Sequence, residues 1–151
     1  MGFDLIGRKP TGERGAHFYN NNRWWWALWD YVTHYCRDIL TREQARWGYL
    51  NQNIVIHATQ AHLMACRLHH LREAGKDKEF EHEMQDRYEG IPCRICRTCN
   101  VAGFRVDDLT CSSCGRMLEN SVLPGSAAPF STKNVDAFGD FCSQSGGFYI
   151  C

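Results

Sequence analysis

Two pairs of cysteines with the same spacing constrain the fold of this chain more than any other feature. Cys96 and Cys99 form one Cys-x2-Cys pair, Cys111 and Cys114 form the other, and eleven residues separate them. Two thiolates three positions apart can bind one ion, and two such turns complete a tetrahedral site with Zn–S distances of about 2.3 Å. The sequence therefore predicts a four-cysteine Zn²⁺ site in a short zinc ribbon.

The residues around the two pairs favour the same fold. Residues 103–106 have a strand-like composition and 107–108 form a turn, which predicts a β-hairpin between the cysteine knuckles. Gly115 follows the second pair, at a position where the tight turn of a cysteine knuckle often requires positive φ, which glycine tolerates. Cys93 overlaps the first pair and is the alternative to Cys99 as a ligand. Because four thiolates leave no coordination position for water, we expect the zinc to be structural.

The charge balance and the lack of long apolar runs exclude several classes of protein. The chain has 17 basic and 17 acidic residues, without the long basic tract of a general DNA or RNA coat. No apolar run approaches the roughly 18 residues of a membrane span, and the first residues lack the pattern of a secretory leader. We therefore expect a soluble protein of the cytoplasm, the host cytoplasm if a phage encodes it, with no membrane contact. The nine cysteines are then expected as metal ligands and buried thiols.

A run of three tryptophans marks the first predicted helix. One of the asparagines at 20–22 is expected to cap a helix that runs to about residue 40. Apolar residues recur along it at spacings of three and four and predict one buried face: Trp25, Leu28, Trp29, Val32, Cys36 and Ile39. Trp24, Trp26 and Tyr31 project elsewhere, so they require cover from other elements or from a partner.

The remaining pattern predicts four more helices and a short terminal strand. Helices are predicted over residues 42–47, 53–73, 76–89 and 132–145. Thr41 and Gln44 have the spacing of a capping box at the first of them. Residues 148–151 form a strand that we expect to pair with 2–6, and 7–22 are expected to be loop.

Together these patterns predict an α+β fold that is mainly helical. Its parts are a Trp-rich helical region over 1–90, the zinc ribbon over 91–120, and a segment over 121–151 with a linker, a helix and a short strand. The 151 residues are too few for two full-sized domains, so we expect one compact domain.

The tryptophan run and its neighbours are the first candidate ligand site. Three adjacent tryptophans cannot all face one core across a helical turn, so either the helix is embedded on several sides or an indole lines a groove. Such a groove would suit a nucleobase, a peptide or a cation. Its candidate residues are Asn22, Arg23, Trp24, Trp26, Tyr49 and Asn51. Structural burial is the competing interpretation, because tryptophan is highly buried on average.

The ribbon offers a second candidate surface. Arg97 and Arg105, together with Arg94 and Arg116, make it basic and suited to nucleic acid. The alternative is that these arginines only keep the surface of a small ribbon polar, because the neutral chain lacks the wide basic surface of most nucleic-acid-binding proteins.

Four residues in the middle of the chain have the spacing of a second metal site. His62, Cys66, His69 and His70 share one helical face. We favour the alternative that they are partly buried polar positions with hydrogen-bond partners, and we expect Cys36 and Cys66 to be packed thiols. The sequence has no HExxH spacing, paired catalytic carboxylates, phosphate-binding glycine loop or nucleophile elbow, so it predicts no enzyme.

Several stretches resemble a family of small proteins of bacteria, prophages and phages. They are residues 1–5, Asn21 and Asn22 before Trp24, Trp25, Trp26 and Trp29, residues 48–51, the cysteine knuckles, 134–138, Phe141 and 146–148. The chain departs from the family at Ala27, where the family has an Arg-Pro pair, and at Asn100 and Ala102, where it has more glycines. The resemblance implies no particular activity. It does imply a phage or mobile-element setting, in which small non-enzymatic proteins often disable host defence components.

These expectations give three functions in order. The first is a zinc-stabilised binding protein that inhibits a host protein, such as a CRISPR or other immune effector, by stoichiometric binding. The second is a sponge that sequesters a nucleotide immune signal at the tryptophan run. The third is a nucleic-acid-binding zinc ribbon.

Overall fold

The fold combines helices and strands, which confirms the α+β class. A computed structural model of the chain describes residues 2–88, 93–95, 102–105, 115, 122–123 and 130–151. Several predicted site residues lie outside the described residues: Cys96, Cys99, Arg97, Cys111 and Cys114. Most of the predicted linker lies outside them as well.

Helices and strands are interspersed along the described residues. In chain order they are β1 (Gly2–Gly7), α1 (Glu13–Ala16), β2 (His17–Asn21), α2 (Asn22–Tyr35), α3 (Arg42–Trp47), β3 (Ile54–Ile56), α4 (Ala58–Glu73), α5 (Lys76–Tyr88), β4 (Cys93–Ile95), β5 (Ala102–Arg105), β6 (Val122–Leu123), α6 (Thr132–Gln144) and β7 (Phe148–Ile150). Helices α3, α5 and α6 match the predicted ranges. None of the helices in the described ranges is long and apolar enough to span a membrane.

Both ends of the chain meet in a four-stranded antiparallel sheet with the order β2-β1-β7-β3. Leu5 of β1 pairs with Ile150 of β7, which confirms the predicted pairing of the two terminal segments. Ile54 of β3 pairs with Ile150 from the other side. The strand formed by the last residues is therefore interior to the sheet and joins β1 to β3.

Alternation along the strands gives this sheet one buried face. Phe3, Leu5, Phe148 and Ile150 are buried, whereas the intervening Tyr149 is exposed. Helices α2 and α6 supply the other half of the core with Trp25, Leu28, Trp29, Val32, Cys36, Val135, Phe138, Phe141 and Cys142. The apolar face predicted for the first helix is thus confirmed from Trp25 to Val32, and Cys36 and the half-buried Ile39 extend the core beyond the last residue of α2.

The loop expected over residues 7–22 is wrong. This stretch contains α1 and β2, and β2 pairs with β1 through Phe18 opposite Leu5. Asn20 also faces the core, whereas Tyr19 faces solvent. Glycine and asparagine are typical of turns, which is why this stretch resembles a loop in the sequence. Hydrogen bonds to β1 satisfy the backbone N–H and C=O groups of residues 17–21, and this pairing makes them a strand.

The helix predicted over 53–73 begins later than expected. Ile54–Ile56 is strand β3, and α4 starts at Ala58. Over so short an apolar run, helical and strand spacing cannot be distinguished, and the β-branched residues favour the strand. Helix α2 likewise ends at Tyr35 instead of near residue 40.

A smaller sheet forms where the ribbon is predicted. Its order is β5-β4-β6, and its strands are antiparallel. The strand predicted at 103–106 is found as β5, but it pairs with the preceding β4, which places Cys93 opposite Arg105. The sequence pattern does not predict β4, because Cys93 and Cys96 have the spacing of a cysteine knuckle. The turn predicted at 107–108 lies outside the described residues.

Two glutamines join the starts of α3 and α4. Thr41 Oγ1 accepts a hydrogen bond from Gln44 N at 3.1 Å, and the predicted capping box is confirmed. The side-chain amides of Gln44 and Gln60 bond to each other at 2.9 and 2.7 Å. Gln44 Nε2 also donates to Val55 O, and Gln60 Nε2 donates to Ile39 O. This polar network fixes α3, α4 and β3 relative to one another.

Two glycines with positive φ provide a test of the close packing before β7. At Gly147 (φ +86°) an added Cβ would lie 2.8 Å from Ile56 O and 2.9 Å from Ala58 N, whereas at Gly75 (φ +73°) it would meet open space. We expect Gly75→Ala to lower the free energy of unfolding by about 1–2 kcal/mol, the cost of the left-handed conformation. Gly147→Ala should cost clearly more. Urea denaturation measures both, and equal losses would contradict the packing.

Candidate functional site

Two buried tryptophans of α2 hold the segment at the end of α3. Trp25 Nε1 donates a hydrogen bond to Gly48 O at 2.7 Å, and Trp29 Nε1 donates to Ala45 O at 3.0 Å. Both side chains are fully buried, and their rings stack with centroids 5.0 Å apart. A Cβ at Gly48 would overlap the Trp29 ring, so this approach requires glycine. The two indoles therefore fix residues 45–48 against α2.

Tyr49 adds a third connection to α2. Its Oη donates a hydrogen bond to Asp30 Oδ1 at 2.5 Å and lies 3.2 Å from Thr33 Oγ1. Partial burial, reinforced by the bond to the Asp30 carboxylate, raises the pKa of the Tyr49 hydroxyl above its ordinary value. The hydroxyl stays protonated at neutral pH, and its hydrogen bond connects residue 49 to α2. The structure thus brings Tyr49 to the tryptophan helix and engages its hydroxyl there.

The turn at residues 47–50 presents apolar side chains to solvent. Trp47 is 41% exposed and Leu50 is 54% exposed, although the backbone between them is held by the bonds to α2. Leu50 N donates to Trp47 O at 2.8 Å and closes the turn. A cleft of about 300 Å³ beside Trp47 is also lined by Glu43 and Gln52. This turn, with an exposed tryptophan on a hydrogen-bonded backbone, is a candidate binding site.

The residues that follow this turn shape its backbone. Asn51 has φ +51° and Asn53 has φ +52°, both in the left-handed region. Asparagine tolerates this conformation better than most residues with a side chain. Asn51, predicted as a ligand contact, is exposed and has this backbone role as well.

The residues predicted around the tryptophan run do not form one platform. Asn21 Oδ1 caps α2 by accepting a hydrogen bond from Trp24 N at 3.0 Å, and Asn22 and Arg23 are half-buried. Trp24 is exposed and Trp26 is half-buried. These two lie on different sides of α2, because successive helical residues are about 100° apart. Trp26 Nε1 is buried and has no hydrogen-bond partner among the described residues.

The histidine face of α4 contradicts the expectation of partial burial. Four residues on it are exposed: His62, Cys66, His69 and His70. The buried side of the helix is formed instead by Ala61, Met64 and Leu68. Cys66 is therefore not the packed thiol that was expected. Its Sγ lies 3.7 Å from His62 Nε2. The described part of the chain has no group of three or more His, Cys, Asp or Glu side chains placed to hold a metal ion.

A groove between α4 and α6 runs along this face. Its volume is about 280 Å³, and its lining includes Cys66 and His69 from one helix and Asp140 from the other. Arg72 Nη1 lies 3.0 Å from Asp136 Oδ1 across the groove. Sequence spacing could not reveal it, because the two helices are far apart along the chain. The groove places a thiol with an imidazole neighbour beside paired charges.

Two other thiols are packed in the core. Burial raises the pKa of Cys36 to about 12 and raises that of Cys142 well above its ordinary value. The expectation of a packed thiol is confirmed for Cys36. Neither group is accessible or ionised near neutral pH. Cys66, by contrast, is exposed to solvent.

Thiol alkylation should separate these cysteines. In a short pulse of iodoacetamide near neutral pH, we expect Cys66 to be modified and Cys36 and Cys142 to stay intact, as measured by peptide mass spectrometry. Modification of Cys36 as fast as Cys66 would contradict the packing of the core.

No protein-family model matches the chain, and no curated protein or solved structure is significantly similar to it. Its function must therefore be inferred from its own residues and their geometry.

Proposed function

We propose that this chain is a zinc-stabilised, non-enzymatic binding protein of a phage or mobile element that inhibits a host defence protein by stoichiometric binding. The observation that supports it best is the 47–50 turn, which exposes Trp47 and Leu50 on a backbone held from within the core. The resemblance to small phage and prophage proteins supplies the setting.

An exposed tryptophan on a fixed backbone suits a protein interface. A few residues carry most of the binding energy of an interface, and tryptophan is prominent among them. Trp47 stands beside a cleft that a side chain of the partner can fill. Because the turn is already bonded to α2, little conformational entropy is lost when the partner binds. These features favour a stable complex with one protein.

Inhibition through such a surface requires no catalytic group. A bound chain of this size can block the active site or the substrate-binding surface of its target. Inhibition is then complete when one chain is bound to each target molecule. An immune effector acts in the host cytoplasm, and we propose that the chain acts there too.

A four-cysteine zinc site would stabilise the part of the chain between α5 and α6. Gly115, directly after the second cysteine pair, has φ +71°, the conformation expected after a knuckle. Strands β4 and β5 pair antiparallel, and the first cysteine pair lies between them in the sequence, an order that suits a zinc ribbon. These observations support Zn²⁺ held by Cys96, Cys99, Cys111 and Cys114.

The geometry gives less support to a nucleotide sponge at the tryptophan run. A base is held most firmly between two rings or on one open ring face. Trp24 and Trp26 lie on different sides of α2, and the Tyr49 hydroxyl is engaged with Asp30. We therefore place the proposed partner surface at the 47–50 turn.

Partner capture with matched variants tests the proposed surface. The tagged chain is exposed to lysates of bacteria with active defence systems, beside Trp47→Ala with Leu50→Ala and the control Leu63→Ala, an exposed apolar residue of α4. We expect wild type and the control to retain one defence protein that the double variant loses, because truncating an interface anchor typically costs at least about 2 kcal/mol.

Titration of that purified partner then tests the stoichiometry. Its activity should fall linearly and reach its minimum at one chain per target. Inhibition by catalytic amounts, or capture unchanged in the double variant, would contradict the proposal.

Zinc analysis by inductively coupled plasma mass spectrometry tests the ribbon. We expect one zinc per chain in the wild type, loss of zinc and lower thermal stability in Cys111→Ser, and retention of zinc in Cys93→Ser. Loss of zinc from Cys93→Ser with retention in Cys99→Ser would assign the ligand to Cys93. A wild-type chain purified without stoichiometric zinc would refute the metal site.

A further inference from the structure

One face of the four-stranded sheet has no covering layer among the described residues. Strand alternation turns Ile6, Tyr19 and Tyr149 to this outer face, where their side chains are 47%, 54% and 38% exposed. Helices α2 and α6 pack on the opposite face. Contiguous exposed apolar surface of this kind marks an interaction site.

The strand register arranges these side chains in rows. Ile6 pairs with His17 on β2 and with Tyr149 on β7, so one row crosses neighbouring strands. Tyr19 stands in the next row, and a Cβ at Gly2 would overlap its side chain. The Tyr19 ring therefore lies along the surface of the sheet. Two tyrosine rings are thus available on one flat face.

Positive charge surrounds the tyrosine on β7. Arg8 Cζ lies 5.5 Å from the centroid of the Tyr149 ring, a cation–π contact. Arg8, Lys9 and His57 line a cleft of about 570 Å³ beside this ring, and no carboxylate of the described residues lines it. Asp4, an acidic residue of the outer face, lies in the row of Tyr19 and is not among the residues that line this cleft. In a chain with no net charge, this is a local excess of cations.

Rings and cations in this arrangement match single-stranded nucleic acid. Unpaired bases stack on aromatic side chains, and the phosphates between them bind arginine and lysine. Strands β2 and β7 flank β1, and Tyr19 lies one row along the strands from Tyr149, which places their Cα atoms about 12 Å apart. A duplex keeps its bases paired and out of reach of such rings. An apolar protein partner would desolvate Arg8 and Lys9 without compensating their charge.

We propose that the outer face of the sheet binds single-stranded nucleic acid, with bases stacked on Tyr19 and Tyr149 and phosphates held by Arg8 and Lys9. This site goes beyond the proposed function, because neither the 47–50 turn nor the predicted ribbon contributes to it.

Fluorescence anisotropy of a labelled oligo-dT, titrated with the full zinc-containing chain at low salt, tests this site. Arg8→Gln with Lys9→Gln should weaken binding about tenfold and reduce the slope of log K against log salt by about 1.4, since each lost phosphate contact removes about 0.7. Tyr149→Leu keeps apolar bulk, removes the ring and should weaken binding about tenfold. The matched control, Arg37→Gln with Arg42→Gln, removes two exposed cations elsewhere and should leave the affinity unchanged.

Several results would overturn this proposal. They are the absence of saturable binding, sheet variants that bind as tightly as wild type, a loss confined to Arg97→Gln with Arg105→Gln, and equally tight binding of free nucleotide or duplex. Circular dichroism checks that each variant is folded. Trp47→Ala with Leu50→Ala should retain strand binding, so failure of this site and failure of the partner surface are distinguishable.

Discussion

The stacked indoles of Trp25 and Trp29 lie where the sheet, α6 and the end of α3 meet. The Phe3 ring of β1 stacks on Trp25 with centroids 5.4 Å apart, and the Phe138 ring of α6 meets it edge-on at 5.9 Å. Each indole N–H is bonded to a backbone carbonyl of residues 45–48. A buried donor left without an acceptor costs about 1–3 kcal/mol, so these carbonyls are as constrained as the rings. One pair of side chains therefore sets the relative positions of three parts of the molecule.

The same packing decides which side chains remain available for binding. Trp25 and Trp29 of α2 are buried and hold the backbone of residues 45–48. The side chains of Trp47 and Leu50 remain exposed on this fixed backbone. Because α2 and α6 cover one face of the sheet, strand alternation leaves tyrosines on the other face with cations beside them. The two proposed sites thus differ in chemistry, one apolar and one basic. A defence effector that acts on nucleic acid would offer ligands for both in one complex.

The sequence predicts those features of this structure that depend on residues close together in the chain. A cap by one of the asparagines at 20–22, which the structure assigns to Asn21, and the cap at Thr41 were predicted because each bond spans only three residues. Strand β2 was missed because its asparagines and the glycines before it are typical of turns, and β3 was missed because helical and strand spacing cannot be distinguished over three apolar residues. The nearness of Tyr49 to the tryptophan helix followed from its place in the chain, whereas the exposure of Trp47 depends on which face the tertiary packing covers. The zinc ligands stay a prediction that rests on cysteine spacing.

Hydrogen exchange at the indole N–H groups, followed by two-dimensional ¹⁵N NMR on the zinc-containing chain, tests most directly whether the buried pair anchors the 45–48 segment. The five tryptophans give separate signals that single substitutions assign. We predict that the Trp25 and Trp29 indoles exchange only through global unfolding, while those of Trp24 and Trp47 exchange rapidly. Rapid exchange of Trp25 and Trp29 in the folded protein would contradict the anchoring on which the exposed turn depends.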